Sequence, residues 1–185
     1  MPSVINIEAY SRWKKLVRAI AWVLKLKKRL LAKRREEETE VSQGPLTARE
    51  LEESRNYLIK DAQKSLHSRL KKDDFKTLSP FIGEEGIIRV GGRMHKAIVS
   101  YETKHSALLP DDHKISHLIT QEAHQCGHPG VATTAAKTRA KYWILRGHEL
   151  AKTVKFKCVT CREIEPCNDR NADYGRLTSS QNSTR

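Results

Sequence analysis

The sequence predicts a mainly α-helical protein with a small β element. Three observations support this fold class. Apolar residues recur at helical spacing near the N-terminus, two short apolar stretches flank a glycine-bounded loop in the middle of the chain, and two pairs of potential metal ligands lie in the last third. We therefore expect an N-terminal helical pair, then a β-hairpin, then a compact helical module.

Composition limits the class of protein. The chain has 185 residues, of which 38% are hydrophobic, and a formal net charge of +13. No apolar run reaches the roughly 18–20 residues that a membrane-spanning helix needs, and four cysteines are too few for a secreted disulfide framework. These values exclude a polytopic membrane protein, a disulfide-rich mini-protein and a large enzyme.

The N-terminal region, residues 1–76, is predicted to be linker-like and helical. A basic segment from about Ala9 to Arg35 carries one apolar stripe, which we interpret as the face that packs on a second helix. A membrane surface or a nucleic acid is the alternative partner of this segment. The stripe residues are Trp13, Leu16, Val17, Ile20, Leu24 and Leu31.

The second helix has a complete start signal. Thr47 and Glu50 have capping-box spacing, and Leu46 and Leu51 have the spacing of a hydrophobic staple. The pattern extends this helix to about Lys71, with an apolar stripe that packs against the first helix.

Residues 77–110 are predicted to form the small β element. Apolar stretches at 81–82 and 87–90 flank the loop 83–86, which is typical of a β-hairpin. A short strand is predicted near residues 106–109. The adjacent Gly91 and Gly92 are interpreted as a turn or bulge, because no phosphate-binding sequence follows them.

Residues 111–162 are predicted to form three short helices. Asp111 or Asp112 caps the first helix, which breaks at residues 127–130; the second covers about 131–142 and the third about 148–157. Residues 163–185 are polar and are predicted to be a disordered tail.

The helical module contains a spacing typical of zinc ligands. His124-x3-His128 and Cys158-x2-Cys161 are separated by 29 residues. Two imidazoles and two thiolates fill the tetrahedral coordination of zinc and leave no open position for a substrate. The ion would thus be structural, and the last part of the chain would be a zinc-stabilised three-helix module.

Spacing alone leaves alternatives open. His113 and His117 form a competing imidazole pair, and in a regular helix His124 shares their face, so a bend or cap near His124 is needed to turn it towards the cysteines. A redox-active Cys-x2-Cys pair is a weaker alternative, because no βαβ pattern surrounds it. Cys126 and Cys167 are interpreted as spare thiols.

Five sequence blocks, taken in order, resemble a known family: LSPFIGEEGIIRVGGRM, KHSALLP, HQCGHPGV, RAKYWILRG and KCVTCRE. They resemble the integrase zinc-binding (two-His two-Cys) domain region of BEL/Pao-type retrotransposon Pol polyproteins, over about residues 77–162. The resemblance implies that His124, His128, Cys158 and Cys161 bind zinc and that His113 and His117 are surface residues. It also implies a truncated chain that lacks the catalytic core, because only 24 residues follow Cys161.

The resulting functional prediction is a non-catalytic zinc-binding module that contacts nucleic acid or other protein chains, including copies of itself. No catalytic residue and no small-molecule substrate is predicted. A thiol oxidoreductase and a metallohydrolase are the enzyme alternatives, and a filled zinc site argues against both. The nucleic-acid-binding candidates surround Tyr142 and Trp143, although these aromatic residues also suit a core. They are Lys137, Arg139, Lys141 and Arg146.

An alternative function is that of a basic amphipathic-helix protein bound to a membrane surface, with a purely structural zinc site. We rank a membrane surface below nucleic acid and protein as a partner. The sequence favours an intracellular location, and the basic clusters at 25–29 and 33–35 make a nuclear location the narrower expectation.

Overall fold

The computed structural model describes residues 6–35, 44–67, 75–91, 98 and 100–164. The helices in these ranges are α1 (Trp13–Arg35), α2 (Ala48–Gln63), α3 (Tyr101–Lys104), α4 (Lys114–Gln125), α5 (Val131–Arg139), α6 (Gly147–Lys157) and α7 (Val159–Ile164). The strands are β1 (Pro80–Ile82), β2 (Ile88–Val90), β3 (Ala107–Leu109) and β4 (Tyr142–Ile144). Short 3₁₀ turns cover Ile7–Ala9 and Lys76–Leu78. The predicted mainly helical fold with a small β element is confirmed.

Helices α1 and α2 pack against each other, as predicted. The capping box is present: the Thr47 hydroxyl accepts a hydrogen bond from the Glu50 backbone N–H, and the Glu50 carboxylate accepts one from the Thr47 N–H. The regular part of α2 ends at Gln63, earlier than predicted, and residues 68–74 lie outside the described ranges.

Only the first half of the predicted α1 stripe is buried. Leu16 and Ile20 join a core that also contains Leu58 from α2 and Ile115 from α4. Leu31, which the sequence analysis placed on the packed face, is 42% exposed. The apolar core thus joins the first half of α1 to the helical module, and the second half of α1 extends past it.

The four strands form one sheet in the order β1-β2-β3-β4. The predicted hairpin is confirmed as antiparallel pairing of β1 with β2, and β2 continues antiparallel to β3. Gly91 lies where the chain leaves this hairpin, and a Cβ there would be 2.4 Å from the Ser79 carbonyl oxygen. This close approach explains the glycine; Gly92 lies outside the described residues.

The helix predicted over about 131–142 is wrong for residues 140–142. The second helix of the module ends at Arg139, and Tyr142–Ile144 forms β4, which pairs in parallel with β3. Aromatic and β-branched side chains suit a strand. The backbone groups of residues 142–144 are hydrogen-bonded by β3 instead of by a further turn of helix. The helical module therefore contributes a strand to the same sheet as the hairpin.

Two other details of the module differ from the prediction. His113, and not an aspartate, caps α4, because its Nδ1 accepts a hydrogen bond from the Ile115 N–H at 3.2 Å. A fourth helix, α7, follows the three that were predicted and includes residues 163 and 164. The rest of the predicted disordered tail lies outside the described residues.

Lys25 is buried between α1 and the start of α2, with only 2% of its surface exposed. Its Nζ lies 3.1 Å from a Glu50 carboxylate oxygen and donates hydrogen bonds to the carbonyls of Gly44 and Pro45 at 3.0 and 3.2 Å. This lysine holds the two helices together, so it is not accessible as part of the predicted nuclear import cluster.

The buried ion pair predicts an asymmetric response to substitution. Glu50→Gln should lower stability by at least about twice as much as Lys25→Met, because the first leaves a buried ammonium without its counter-charge and the second removes the charge itself. The measurement is the urea midpoint of each variant by circular dichroism. Equal losses would show that the carboxylate does not compensate the ammonium.

No helix in the described part of the chain is long and apolar enough to cross a bilayer.

Candidate metal centre

The four predicted metal ligands come from two places in the module. His124 lies in the last turn of α4, and His128 lies in the turn that follows. Cys158 is the C-cap residue of α6, and Cys161 lies on α7. Helices α4 and α6 pack against each other, which brings the two pairs of side chains together.

The turn after α4 depends on unusual backbone conformations. Gly127 and His128 have φ angles of +88° and +46°. The left-handed region is readily accessible to glycine but is uncommon for other residues. This turn reverses the chain directly after His124, so that both imidazoles lie at the same end of α4.

His124 is directed inwards although α4 continues past it. Its exposed fraction is 1%, and Ser116 and Thr120, eight and four residues earlier, are equally buried. Their hydroxyls donate to backbone carbonyls, from Ser116 to Pro110 and from Thr120 to Ser116. The buried face of α4 is therefore wider than its apolar residues alone indicated, and the predicted bend is not needed. The sequence signal for the inward direction of His124 was the row of Ser116, Thr120 and His124 at four-residue intervals.

The geometry of the four side chains suits a tetrahedral metal ion. The ligand atoms all lie within 4.8 Å of one another. His124 Nε2 is 3.2 Å from Cys161 Sγ, and His128 Nδ1 is 3.2 Å from Cys158 Sγ and 3.8 Å from Cys161 Sγ. Tetrahedral zinc bonds of about 2.0–2.1 Å to nitrogen and 2.3 Å to sulfur separate such atoms by about 3.5 Å. The donor set and its spacing fit zinc.

The surroundings of His124 favour the form of the ring that binds a metal. Burial lowers the pKa of His124, and the nearby His128 lowers it further, whereas a hydrogen bond to the Pro129 backbone opposes both effects. Its Nδ1 is 3.5 Å from the Thr134 hydroxyl, which itself lies 3.0 Å from the Gly130 carbonyl. Because the Thr134 hydroxyl donates to the Gly130 carbonyl, it is able to accept a hydrogen bond from an Nδ1–H of His124, and in that tautomer the Nε2 lone pair faces Cys161. Sequence reasoning did not identify Thr134.

The competing histidine pair has a different role. Nδ1 of His113 is occupied as the cap of α4. The pKa of His117 is lowered by burial and by the neighbouring Lys157 and Lys114. In the described ranges, one group of three or more histidine, cysteine or acidic side chains has metal-binding geometry, and it consists of His124, His128, Cys158 and Cys161. Cys126 is exposed outside this group, and Cys167 is not among the described residues.

The nucleic-acid-binding candidates occupy several sites around β4. Arg139 stacks over Trp143 at 4.6 Å from the ring centre, and Lys137 donates to the Cys126 carbonyl at 2.9 Å. Tyr142 is partly buried against the core, and this burial raises its pKa to about 12.

Two of these cations already have acidic partners. Lys141 is 3.3 Å from Glu102, and Arg146 is 2.6 Å from Asp111. Neither pairing could be predicted from the sequence, because the acidic residues lie more than thirty positions earlier in the chain. The four cations thus differ in how readily they meet a phosphate.

Comparison with known families gives one match, over the part of the chain that contains this centre. Residues 111–166 match the family model described as the integrase zinc binding domain. The match covers less than a third of the chain and includes all four clustered residues. Neither the curated proteins nor the solved structures gave a match. The family match and the cluster together support zinc as the metal.

Proposed function

We propose, on the premise that residues 111–166 form an integrase-type zinc-binding domain, that His124, His128, Cys158 and Cys161 bind one structural zinc ion. We further propose that the domain so formed contacts nucleic acid and other protein chains. The convergence of the four ligand atoms within 4.8 Å of one another carries the zinc assignment. The integrase-type match supports both kinds of partner.

Four protein ligands give the site a structural role. Zinc bound by two imidazoles and two thiolates has no free position at which to activate water or polarise a substrate. Binding would instead join the end of α4 to the C-cap of α6 and to α7, about thirty residues further along the chain. The integrase zinc-binding domain is itself non-catalytic, and we propose that this chain acts without catalysis.

The charge of the module supports contact with phosphates. Residues 105–162 contain nine lysines and arginines against four acids. Arg139 is held in place by its stacking on Trp143, which reduces the entropy lost when a guanidinium binds a phosphate. Lys141 and Arg146 must exchange Glu102 and Asp111 for phosphates, so we expect them to contribute less.

The double variant Lys137→Gln/Arg139→Gln is expected to weaken binding to duplex DNA and to reduce its salt dependence. Each phosphate contact contributes about one unit to the slope of log affinity against log salt, so the slope should fall by about two. Fluorescence anisotropy with a labelled duplex over a series of salt concentrations measures this slope.

Arg49→Gln is the matched control, because Arg49 is a highly exposed cation on α2, outside the module. It should leave the slope unchanged. DNA binding by the parent protein that does not weaken as salt rises would contradict a phosphate-led contact, as would equal slopes for the parent and the double variant.

We also propose that the domain is of the BEL/Pao retrotransposon type. The sequence blocks that carry this resemblance begin before residue 111, and the structure joins them to the matched domain in one sheet. Strands β1 and β2 lie upstream of the match and β4 lies within it, with β3 between them. The hairpin and the zinc domain are therefore parts of one folded unit.

A further inference from the structure

Helix α1 has a second apolar face that the core formed by the described residues does not cover. Trp22, Leu26 and Leu30 follow one another at four-residue intervals and are 50%, 57% and 60% exposed. Val23, on the same side at 100° per residue, is 39% exposed. We call these four residues the outer face. At 100° per residue the row of Trp22, Leu26 and Leu30 is centred about 120° from the buried Ile20, and Val23 borders the buried face near Leu16.

The outer face is surrounded by positive charge. Helix α1 contains ten lysines and arginines and no acidic residue in its 23 positions. On a helical wheel, Arg18 borders one side of the outer face and Lys27 the other, and Lys15 and Lys33 lie beyond its two ends. All four of these cations are exposed. Two copies of this surface would repel each other, so its partner must be anionic.

We infer that the outer face binds the surface of an anionic lipid bilayer. The apolar side chains would enter the boundary between headgroups and acyl chains while the surrounding cations meet lipid phosphates. Trp22 suits this boundary because tryptophan is enriched at membrane interfaces. The site lies outside residues 111–166 and goes beyond the function proposed for that domain.

The arrangement favours lipid over other anionic partners. Nucleic acid offers phosphates to the cations but gives Leu26 and Leu30 nothing apolar to contact. A partner helix would form one narrow seam along α1, whereas the cations lie on both sides and beyond both ends of the apolar row. That distribution fits a surface that extends in two dimensions.

The test is sedimentation of the zinc-loaded full-length chain with vesicles. We expect partition onto phosphatidylcholine vesicles that contain phosphatidylserine, weaker partition onto phosphatidylcholine alone, and release by salt. Leu26→Ser/Leu30→Ser should lower the partition at least about tenfold, because it removes two buried apolar side chains from the bound state. A blue shift of tryptophan emission on binding should be lost in Trp22→Phe.

Phe156→Ser is the matched control. Phe156 is 59% exposed and lies between two lysines in the sequence, but on α6. It should partition like the parent, and circular dichroism and zinc content show whether each variant is folded. The inference is overturned if the folded parent does not bind anionic vesicles, if neutral vesicles bind it equally, or if the leucine variant partitions like the parent. If the parent does not bind vesicles and the leucine variant loses binding to duplex DNA, the inference is overturned and the outer face is a nucleic-acid contact.

Discussion

Cys161→Ser and His124→Ala are each expected to abolish stoichiometric zinc binding and to unfold the module formed by α4 to α7. Both side chains are buried, with exposed fractions of 8% and 1%, so each substitution leaves an incomplete ligand set inside the protein. Structural zinc contributes about 10–16 kcal/mol of apparent binding free energy in small zinc domains. Native mass spectrometry of the parent and both variants measures the metal content, and circular dichroism reports the lost helix.

Cys126→Ser and His113→Ala are the controls for this experiment. Cys126 is exposed and lies outside the cluster, so its replacement should leave one zinc per chain. His113 caps α4 through Nδ1, so His113→Ala should cost only about 0.5–2 kcal/mol of stability and no zinc. Zinc retained by His124→Ala but lost by His113→Ala would move the site to the competing histidine pair.

Gln63→Leu is expected to destabilise the fold by at least about 3 kcal/mol without changing the metal ligands. Gln63 lies at the end of α2, and its side chain, which is 1% exposed, hydrogen-bonds the backbones of β2 and β3. Its amide donates to the carbonyls of Ile88 and Leu108 at 2.8 and 2.7 Å, and its oxygen accepts from the Ile88 N–H at 2.9 Å. Leucine would leave these buried backbone groups without partners, at about 1–3 kcal/mol each.

Urea unfolding of the zinc-loaded protein measures this loss. The same substitution at the exposed Gln125 should change stability by less than about 0.5 kcal/mol. If the two variants lost the same free energy of unfolding, the Gln63 amide would not be responsible for holding α2 on the sheet. Zinc content should stay at one per chain in both variants.

Features that depend on neighbouring residues could be predicted from the sequence. The capping box at Thr47 and Glu50 and the hairpin around Gly83 and Gly86 are encoded within a few positions. The ligand spacing of the metal centre is similarly local within each pair, although the meeting of the two pairs rests on the packing of α4 against α6. The structure brings together the four side chains that the sequence pattern singled out.

Features that depend on distant residues could not be predicted. Tyr142–Ile144 is a strand because β3 lies beside it, although the preceding residues have a helical pattern. The sequence around Lys25 is typical of a surface cation, but in the fold its ammonium is surrounded by Glu50 and two backbone carbonyls. Lys141 and Arg146 look available for phosphate binding until the fold supplies Glu102 and Asp111.

The sequence by itself determined which residues are able to bind zinc, where α2 begins and where the hairpin forms, because ligand chemistry and backbone hydrogen bonding over a few residues are local properties. Tertiary structure decided which side of α1 is buried and which is left as the outer face. Both sides are apolar in the sequence, and only the position of α2 and α4 against the first half of α1 distinguishes them. Burial depends on what the rest of the chain places beside a residue, and a helical pattern does not contain that information.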